Sequence, residues 1–233
     1  MATIGFIGSG NIGGTVARLA VEAGHDVVLS NSRGPETLRD LVDELGPGAR
    51  AATADEAAAT GDIVVLTVPL SVVDQVSAEP LRDKVVIDTC NYYPQRDGHV
   101  AELDDESTTT SELVQRHLAR SKVVKCFNNV SYIHLRELAR PAGSRDRSVL
   151  AVAGDDADAK ALVSAFLDSI GYDAYDAGPL SEGWRFQRDT PAYAGLYNGD
   201  TSGTWPPPPG SGVRITEEVM RERLAAARRY RDG

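Results

Sequence analysis

Gly8-Ser9-Gly10-Asn11-Ile12-Gly13 places glycines at the first, third and sixth positions of a short loop, the spacing that lets a chain turn tightly beneath a pyrophosphate. Gly8 is expected to make the turn, Gly10 to let phosphate oxygens approach the backbone, and Gly13 to let the next helix pack against the preceding strand. Ser9, Asn11 and Ile12 complete the loop. Glycine-rich turns are common, so context decides. An apolar run from Thr3 to Ile7 precedes this one and an amphipathic run from Ile12 to Ala23 follows it, the strand, turn and helix order of a dinucleotide site. At the end of the next strand, where an NAD site usually carries a carboxylate for the ribose hydroxyls, stands Ser30-Asn31-Ser32-Arg33. A carboxylate would repel a 2′-phosphate. Arg33 can pair with one, and Asn31 and Ser32 can donate hydrogen bonds to it. The expected cofactor is NADP(H). As a lone residue, Arg33 would simply be a solvated loop arginine.

In an open parallel sheet the ligand lies beyond the carboxyl ends of the strands, so the other strand ends are the next candidates. Thr67-Val68-Pro69-Leu70 ends one strand, and can run along the ribose and nicotinamide or simply close a proline-terminated strand. Asn91, with Tyr92 and Tyr93, follows another, and Lys125-Cys126-Phe127-Asn128-Asn129 ends a third. Asn91, Asn128 and Asn129 can donate to or accept from a carboxamide or a ring carbonyl, and Lys125 can stabilise an anionic acceptor or act as an acid. Lys125, Asn128 and Asn129 are the catalytic candidates. The competing readings are turn formation for the asparagines and a snorkelling stem for the lysine. His25, His99, His117 and His134 have no metal-ligand spacing, and Ser9 lacks a nucleophile-elbow pattern. No metal site is expected.

The elements that must hold these residues alternate β-branched runs with alanine-rich amphipathic runs from Thr3 to about Asp176, the signature of βαβ units. Strands are expected at Thr3–Ile7, Asp26–Leu29, Ala49–Ala52, Ile63–Val68, Val85–Asp88, Val123–Phe127, Ser148–Ala153 and Tyr172–Asp176. Helices are expected at Ile12–Ala23, Glu36–Leu45, Asp55–Ala59, Ser71–Ala78, Ser111–His117 and Ala157–Ile170. Gly24 suits a left-handed cap after the first helix, and Asp155 and Asp156 suit the positive end of the last. The fold class is α/β, a Rossmann-type, doubly wound and mostly parallel sheet spanning residues 1–178, with an irregular C-terminal appendage over residues 179–233. That appendage holds Trp184, Tyr193, Gly203-Thr204-Trp205, the run Pro206 to Pro209, and a final helix from Thr216 to an arginine-rich end at Arg228, Arg229 and Arg231. The prolines suit an extended connector. The final helix reads as a solvated terminus, or as a contact that makes a homodimer.

Composition narrows the partners. With 42% apolar and 25% charged residues in 233, the chain is that of a soluble globular protein. The apolar stretch Ile63 to Val73 is too short to cross a bilayer. A net charge of −10 opposes nucleic acid and anionic membranes, which need a basic footprint. Small molecules are the expected partners. Two cysteines, Cys90 and Cys126, cannot build a disulfide framework, and Met1-Ala2-Thr3 leads straight into a strand rather than a secretory signal, so the expected location is cytoplasmic.

With these residues in view, the chain resembles the NADP-dependent oxidoreductases of the coenzyme F420 type from Gly5 to about Leu180. The matching stretches are Gly5 to Gly13, Asn31 to Arg33, Ile63 to Leu70, Val123 to Asn128, Ala153-Gly154-Asp155-Asp156 and Asp176 to Leu180. Related nucleotide domains occur in pyrroline-5-carboxylate reductases and metalloreductases. The resemblance implies NADP(H) as cofactor and coenzyme F420, a deazaflavin, as co-substrate stacked over the nicotinamide. Hydride then passes directly between the rings, a reaction that needs proximity and orientation more than an acid or base. By position, Thr67 to Leu70 and Asn128-Asn129 resemble the family's segments around the nicotinamide and the acceptor. Beyond Leu180 the chain does not resemble the family's helical C-terminal part. The other readings are an NADPH-dependent reductase of another flavin or of a small carbonyl or imine compound, and an NADP(H)-sensing protein without turnover.

Overall fold

The computed structural model describes residues 1–199 and 204–230; Gly203 and Arg231 lie outside the described residues. Eight strands form the sheet: β1 (Thr3–Ile7), β2 (Asp26–Ser30), β3 (Ala49–Ala51), β4 (Ile63–Leu66), β5 (Val85–Asp88), β6 (Lys122–Lys125), β7 (Val149–Gly154) and β8 (Asp173–Asp176). The helices are α1 (Asn11–Glu22), α2 (Arg39–Leu45), α3 (Ala54–Thr60), α4 (Pro94–Asp97), α5 (Ala101–Asp104), α6 (Thr110–His117), α7 (Tyr132–Glu137), α8 (Ala157–Ser169) and α9 (Glu217–Ala225). Strand order is β3-β2-β1-β4-β5-β6-β7-β8. The chain winds outward from β1 to β3, crosses back to β4, and winds outward again, so the switch point lies between β1 and β4, where a doubly wound fold binds its ligand.

Alternate strand residues enter opposite layers. Ile4, Phe6, Val27, Leu29, Ile63, Val65 and Ile87 join one apolar cluster, whereas Ile7, Val64, Leu66, Val86 and Val123 join another. Both faces are covered, as the continuous apolar runs require. Caps hold the helix ends where the residue types indicate. Gly24 follows α1 with φ +86° and Asp156 Oδ1 accepts from Ala159 N at the start of α8 at 2.8 Å, whereas Asp155, expected at the same helix end, accepts from Leu180 N at 2.8 Å instead.

Three features depart from the expected pattern. First, β7 is antiparallel to β6 and overlaps it only where Val124 and Lys125 face Gly154 and Ala153. The rest of β7 therefore runs on past the carboxyl end of β6, where it pairs in parallel with β8. Second, the expected helix at 71–78 is only a 3-10 turn, Leu70–Gln75, and the one at 36–45 begins as a 3-10 turn, Pro35–Leu38, before α2. The adjacent β-branched Val72 and Val73 weaken an α-helix at the first place, while Pro35 suits the opening position of the second. Third, the segment after residue 178 is irregular but not separate. Phe186, Ala192, Tyr197, Ile215, Met220 and Leu224 are buried in the main core cluster. Thr216 caps α9 through Val219 N at 3.3 Å, and the buried Met220 and Leu224 dock that helix on its own chain.

Candidate active site

The glycine loop leaves β1 at Gly8, whose φ of +101° favours glycine. A Cβ there would sit 2.3 Å from Thr67 O, and one on Gly13 would sit 2.4 Å from Gly8 O. Both positions thus exclude any larger residue. Gly10 differs: a Cβ there would meet nothing within 4 Å. Its face is open to the cleft, and it caps α1 with no side-chain acceptor for the first-turn amides. Unpaired amides at the positive end of a twelve-residue helix suit an anion such as a pyrophosphate. Ser9 does other work. Its hydroxyl donates to Ser30 O at 2.8 Å and closes the turn onto β2.

At the end of β2 the Asn31 side chain shapes the loop instead of facing a ligand. Its Nδ2 donates to Thr37 Oγ1 at 2.8 Å and its Oδ1 accepts from Arg33 N at 3.0 Å. Ser32 and Arg33 are exposed, and among the described residues neither side chain has a hydrogen-bond or ion-pair partner. A hydroxyl and a guanidinium therefore stand ready beyond β2, with no carboxylate among residues 30–35.

Between these loops and the carboxyl ends of β4, β5 and β6 lies a cleft of about 320 Å³. Gly10, Asn11 and Ile12 line one end, Thr67, Val68 and Pro69 one side, and Asn91, Phe127 and Asn128 the floor. Leu70 does not reach it. It is buried in the second core cluster, where it begins the 3-10 turn. Asn91 and Asn128 grip each other across two strand ends: Asn91 Nδ2 donates to Asn128 O at 2.8 Å, and Asn128 Nδ2 donates to Asn91 Oδ1 at 3.1 Å and to Phe186 O at 2.9 Å. Asn128 Oδ1 is buried with no partner. A buried acceptor without a donor is costly. Before it, Phe127 holds φ +62°, an outlier for a bulky residue.

Lys125 and Asn129 lie behind the cleft. Lys125 is fully buried, and its Nζ donates to Cys90 O at 3.0 Å and Thr110 Oγ1 at 3.1 Å, with Asp88 Oδ2 at 3.7 Å. Asp88 in turn accepts from Cys90 N at 2.8 Å and Ser111 Oγ at 2.6 Å. The ion pair thus holds both the N–H and the carbonyl of Cys90, whose neighbours Thr89 and Asn91 line the cleft. Lys125 thus supports the cleft wall from behind and is not among the residues that line the cleft. Asn129 Nδ2 donates to Ala192 O at 2.8 Å and ties the C-terminal segment to the loop after β6. Both thiols are buried; burial pushes Cys126 up to about 12 and, with the Asp88 carboxylate beside it, raises Cys90 well above the ordinary thiol range.

Sequence reasoning did not assign Tyr193 and Trp205 to the site, and both line the cleft together with Tyr93 and Arg96. They lie beyond the last strand, and only the combination of aromatic residues in an otherwise polar, irregular segment hinted at a role.

Residues 3–92 match the family described as NADP oxidoreductase, coenzyme F420-dependent. The chain is 32% identical to the F420-dependent NADP reductase of Methanocaldococcus jannaschii over 69% of its own length and 70% of the relative's. It is 31% identical to the F420-dependent NADP reductase of Methanothermobacter thermautotrophicus over 84% of its own length and 88% of the relative's. The chain belongs to the F420-dependent NADP reductase family. A match over 84% of this chain must run past Leu180, so the family likeness extends into the C-terminal segment, further than the motifs indicate. A solved structure, the hypothetical protein SMa0349 of Sinorhizobium meliloti, superposes with a TM-score of 0.73 at 27% identity over 83% of this chain and 94% of that one. Among the described residues of this reductase-family chain, no helix is long and apolar enough to cross a membrane.

Proposed function

We propose that this protein passes a hydride between NADP(H) and coenzyme F420, with Gly8 to Gly13 under the pyrophosphate and Ser32 and Arg33 on the 2′-phosphate. The observation that carries the reading is the open face of Gly10 at the uncapped start of α1, leading into one continuous cleft. Family membership supports the acceptor. When both are bound, the reduced nicotinamide gives up a hydrogen with two electrons, and the deazaflavin takes these together with one proton from water. The chain's part is to hold two rings in register and to keep water away. Thr67 to Pro69 flank the ring and the Asn91–Asn128 pair fixes the floor. This arrangement supplies proximity, which accounts for much of the barrier in such transfers.

Oxidation of NADPH with F420, FMN or FAD as acceptor tests the reading, and turnover with F420 is expected. Tight NADPH binding without turnover on any of the three would overturn it. Arg33→Ala is expected to weaken NADPH binding roughly 10-fold to 100-fold, the loss of one or two charge-assisted contacts, with NADH binding little changed. Equal losses for both dinucleotides would remove the 2′-phosphate assignment.

A further inference from the structure

Beyond the strand ends the cleft opens into a second hollow of about 580 Å³. Tyr93, Arg96, Tyr193 and Trp205 line both spaces, and Gln95 completes the second. One wall is stiff. The Tyr93 and Tyr193 hydroxyls lie 2.5 Å apart, joining the loop after β5 to the C-terminal segment. The guanidinium groups of Arg96 and Arg188 lie 4.7 and 5.3 Å from the centre of the Tyr93 ring. Arg96 is itself held by the Asp97 carboxylate and by Asn91 O.

Trp205 is different. An antiparallel bridge between Asn198 and Gly212, with Val213 N donating to Tyr197 O at 2.9 Å, folds its stretch of chain back toward the cleft. The indole is nonetheless 67% exposed. Trp184, by contrast, is packed between Arg185 and Arg229. A large aromatic face left in water at the mouth of a cleft is a surface that a flat ligand would cover.

We infer that this hollow seats the ring system of the hydride acceptor, with Trp205 stacked on its face and the Tyr93–Tyr193 wall at its edge. The inference rests on the reading that the cleft holds the nicotinamide. It makes Tyr193 and Trp205, both beyond the last strand, the residues that select a planar, fused aromatic acceptor. A small carbonyl or imine compound would leave most of the hollow unfilled and the indole uncovered.

The test is Trp205→Ala and Trp205→Phe in the full-length enzyme. The alanine variant is expected to raise KM for F420 roughly tenfold, the size of one lost ring-stacking contact, while the NADPH dissociation constant stays unchanged. The phenylalanine variant should recover most of the loss. Adding F420 to the NADP-bound wild type should quench tryptophan emission, and the quench should largely vanish in Trp205→Ala, where only Trp184 remains. Wild-type turnover of F420 with an unaltered KM in Trp205→Ala would overturn the inference and leave the reading of the cleft intact. A weakened NADPH affinity in that variant would overturn it too, by assigning Trp205 to the dinucleotide. Absence of F420 turnover in the wild type, with NADPH still bound, would overturn the reading beneath it.

Discussion

Lys125 shows how far a residue's type can mislead about its role. A lysine in a buried strand invites a catalytic reading, yet its ammonium is spent inside the protein against Asp88, Cys90 O and Thr110. Two fully buried charges are held together here by hydrogen bonds on both sides, the condition under which a buried pair is tolerated. Lys125→Met would leave the Asp88 carboxylate facing only Ser111 and the Cys90 amide. It is expected to destabilise the fold by about 3–5 kcal/mol. The double variant Asp88→Asn/Lys125→Met, which removes both charges, should lose markedly less. Urea unfolding of the two variants measures the difference, and an equal or larger loss in the double variant would show that the charge pair is not what holds Cys90. Neither Lys125 nor Asn129 could be placed from sequence, because their partners at Thr110 and Ala192 are distant along the chain. The hydrogen bonds of Asn31 and Ser9 were not legible for a nearer reason: a polar side chain in a ligand loop bonds the loop or the ligand equally well, and its type does not say which.

At the scale of elements the glycine loop was legible because its constraint is local. A strand, a turn and a helix in direct succession leave one way to pack, and Gly8 and Gly13 meet backbone at distances no side chain tolerates. Antiparallel β7 was not legible, since its apolar run reads the same in either direction. The three glycines separate packing from binding. Gly13→Ala would press a methyl onto Gly8 O and Thr67 Cγ2 and is expected to cost about 1–3 kcal/mol of stability, as overpacking does. Gly10→Ala meets nothing in the protein, so its stability should fall by no more than about 1 kcal/mol, the effect of a poorer helix cap. The same methyl stands where a pyrophosphate would approach, and NADPH affinity should drop on the order of tenfold, or about 1.4 kcal/mol. Thermal unfolding and NADPH titration of both variants decide the matter. An unchanged affinity in Gly10→Ala would mean that no dinucleotide backbone passes there.

The whole molecule is more integrated than its change of composition near residue 178 suggests. Tyr197 is buried beneath β7, where its hydroxyl donates to Val149 O at 3.1 Å, and Ile215 N donates to Ser148 Oγ at 3.2 Å. With one core cluster shared by both segments, a single cooperative transition is expected, in which Trp184 emission and far-UV dichroism change together. That transition should depend on pH through His134, which is buried on α7 and lies 2.9 Å from Ser211 Oγ of the C-terminal segment. Ser211 gives its own proton to Pro208 O at 2.6 Å, so His134 Nε2 must be the donor and Nδ1 the bare nitrogen, which has no partner. Protonating Nδ1 would bury a charge without an acceptor, and burial accordingly lowers the His134 pKa from 6.5 despite the nearby Glu137 carboxylate. A lowered folded-state value means that the unfolded chain binds the proton first as pH falls. The stability from neutral His134 is therefore full above about pH 6.5 and is lost as pH drops below it toward the folded-state pKa. His25, also lowered by burial, adds a slope of the same sign. His134→Gln keeps a donor for Ser211 but cannot titrate, so its melting temperature should fall less than the wild type's between about pH 7.5 and about pH 5.5. If the two proteins lose stability in parallel over that interval, the contact between α7 and the C-terminal segment does not carry the pH dependence.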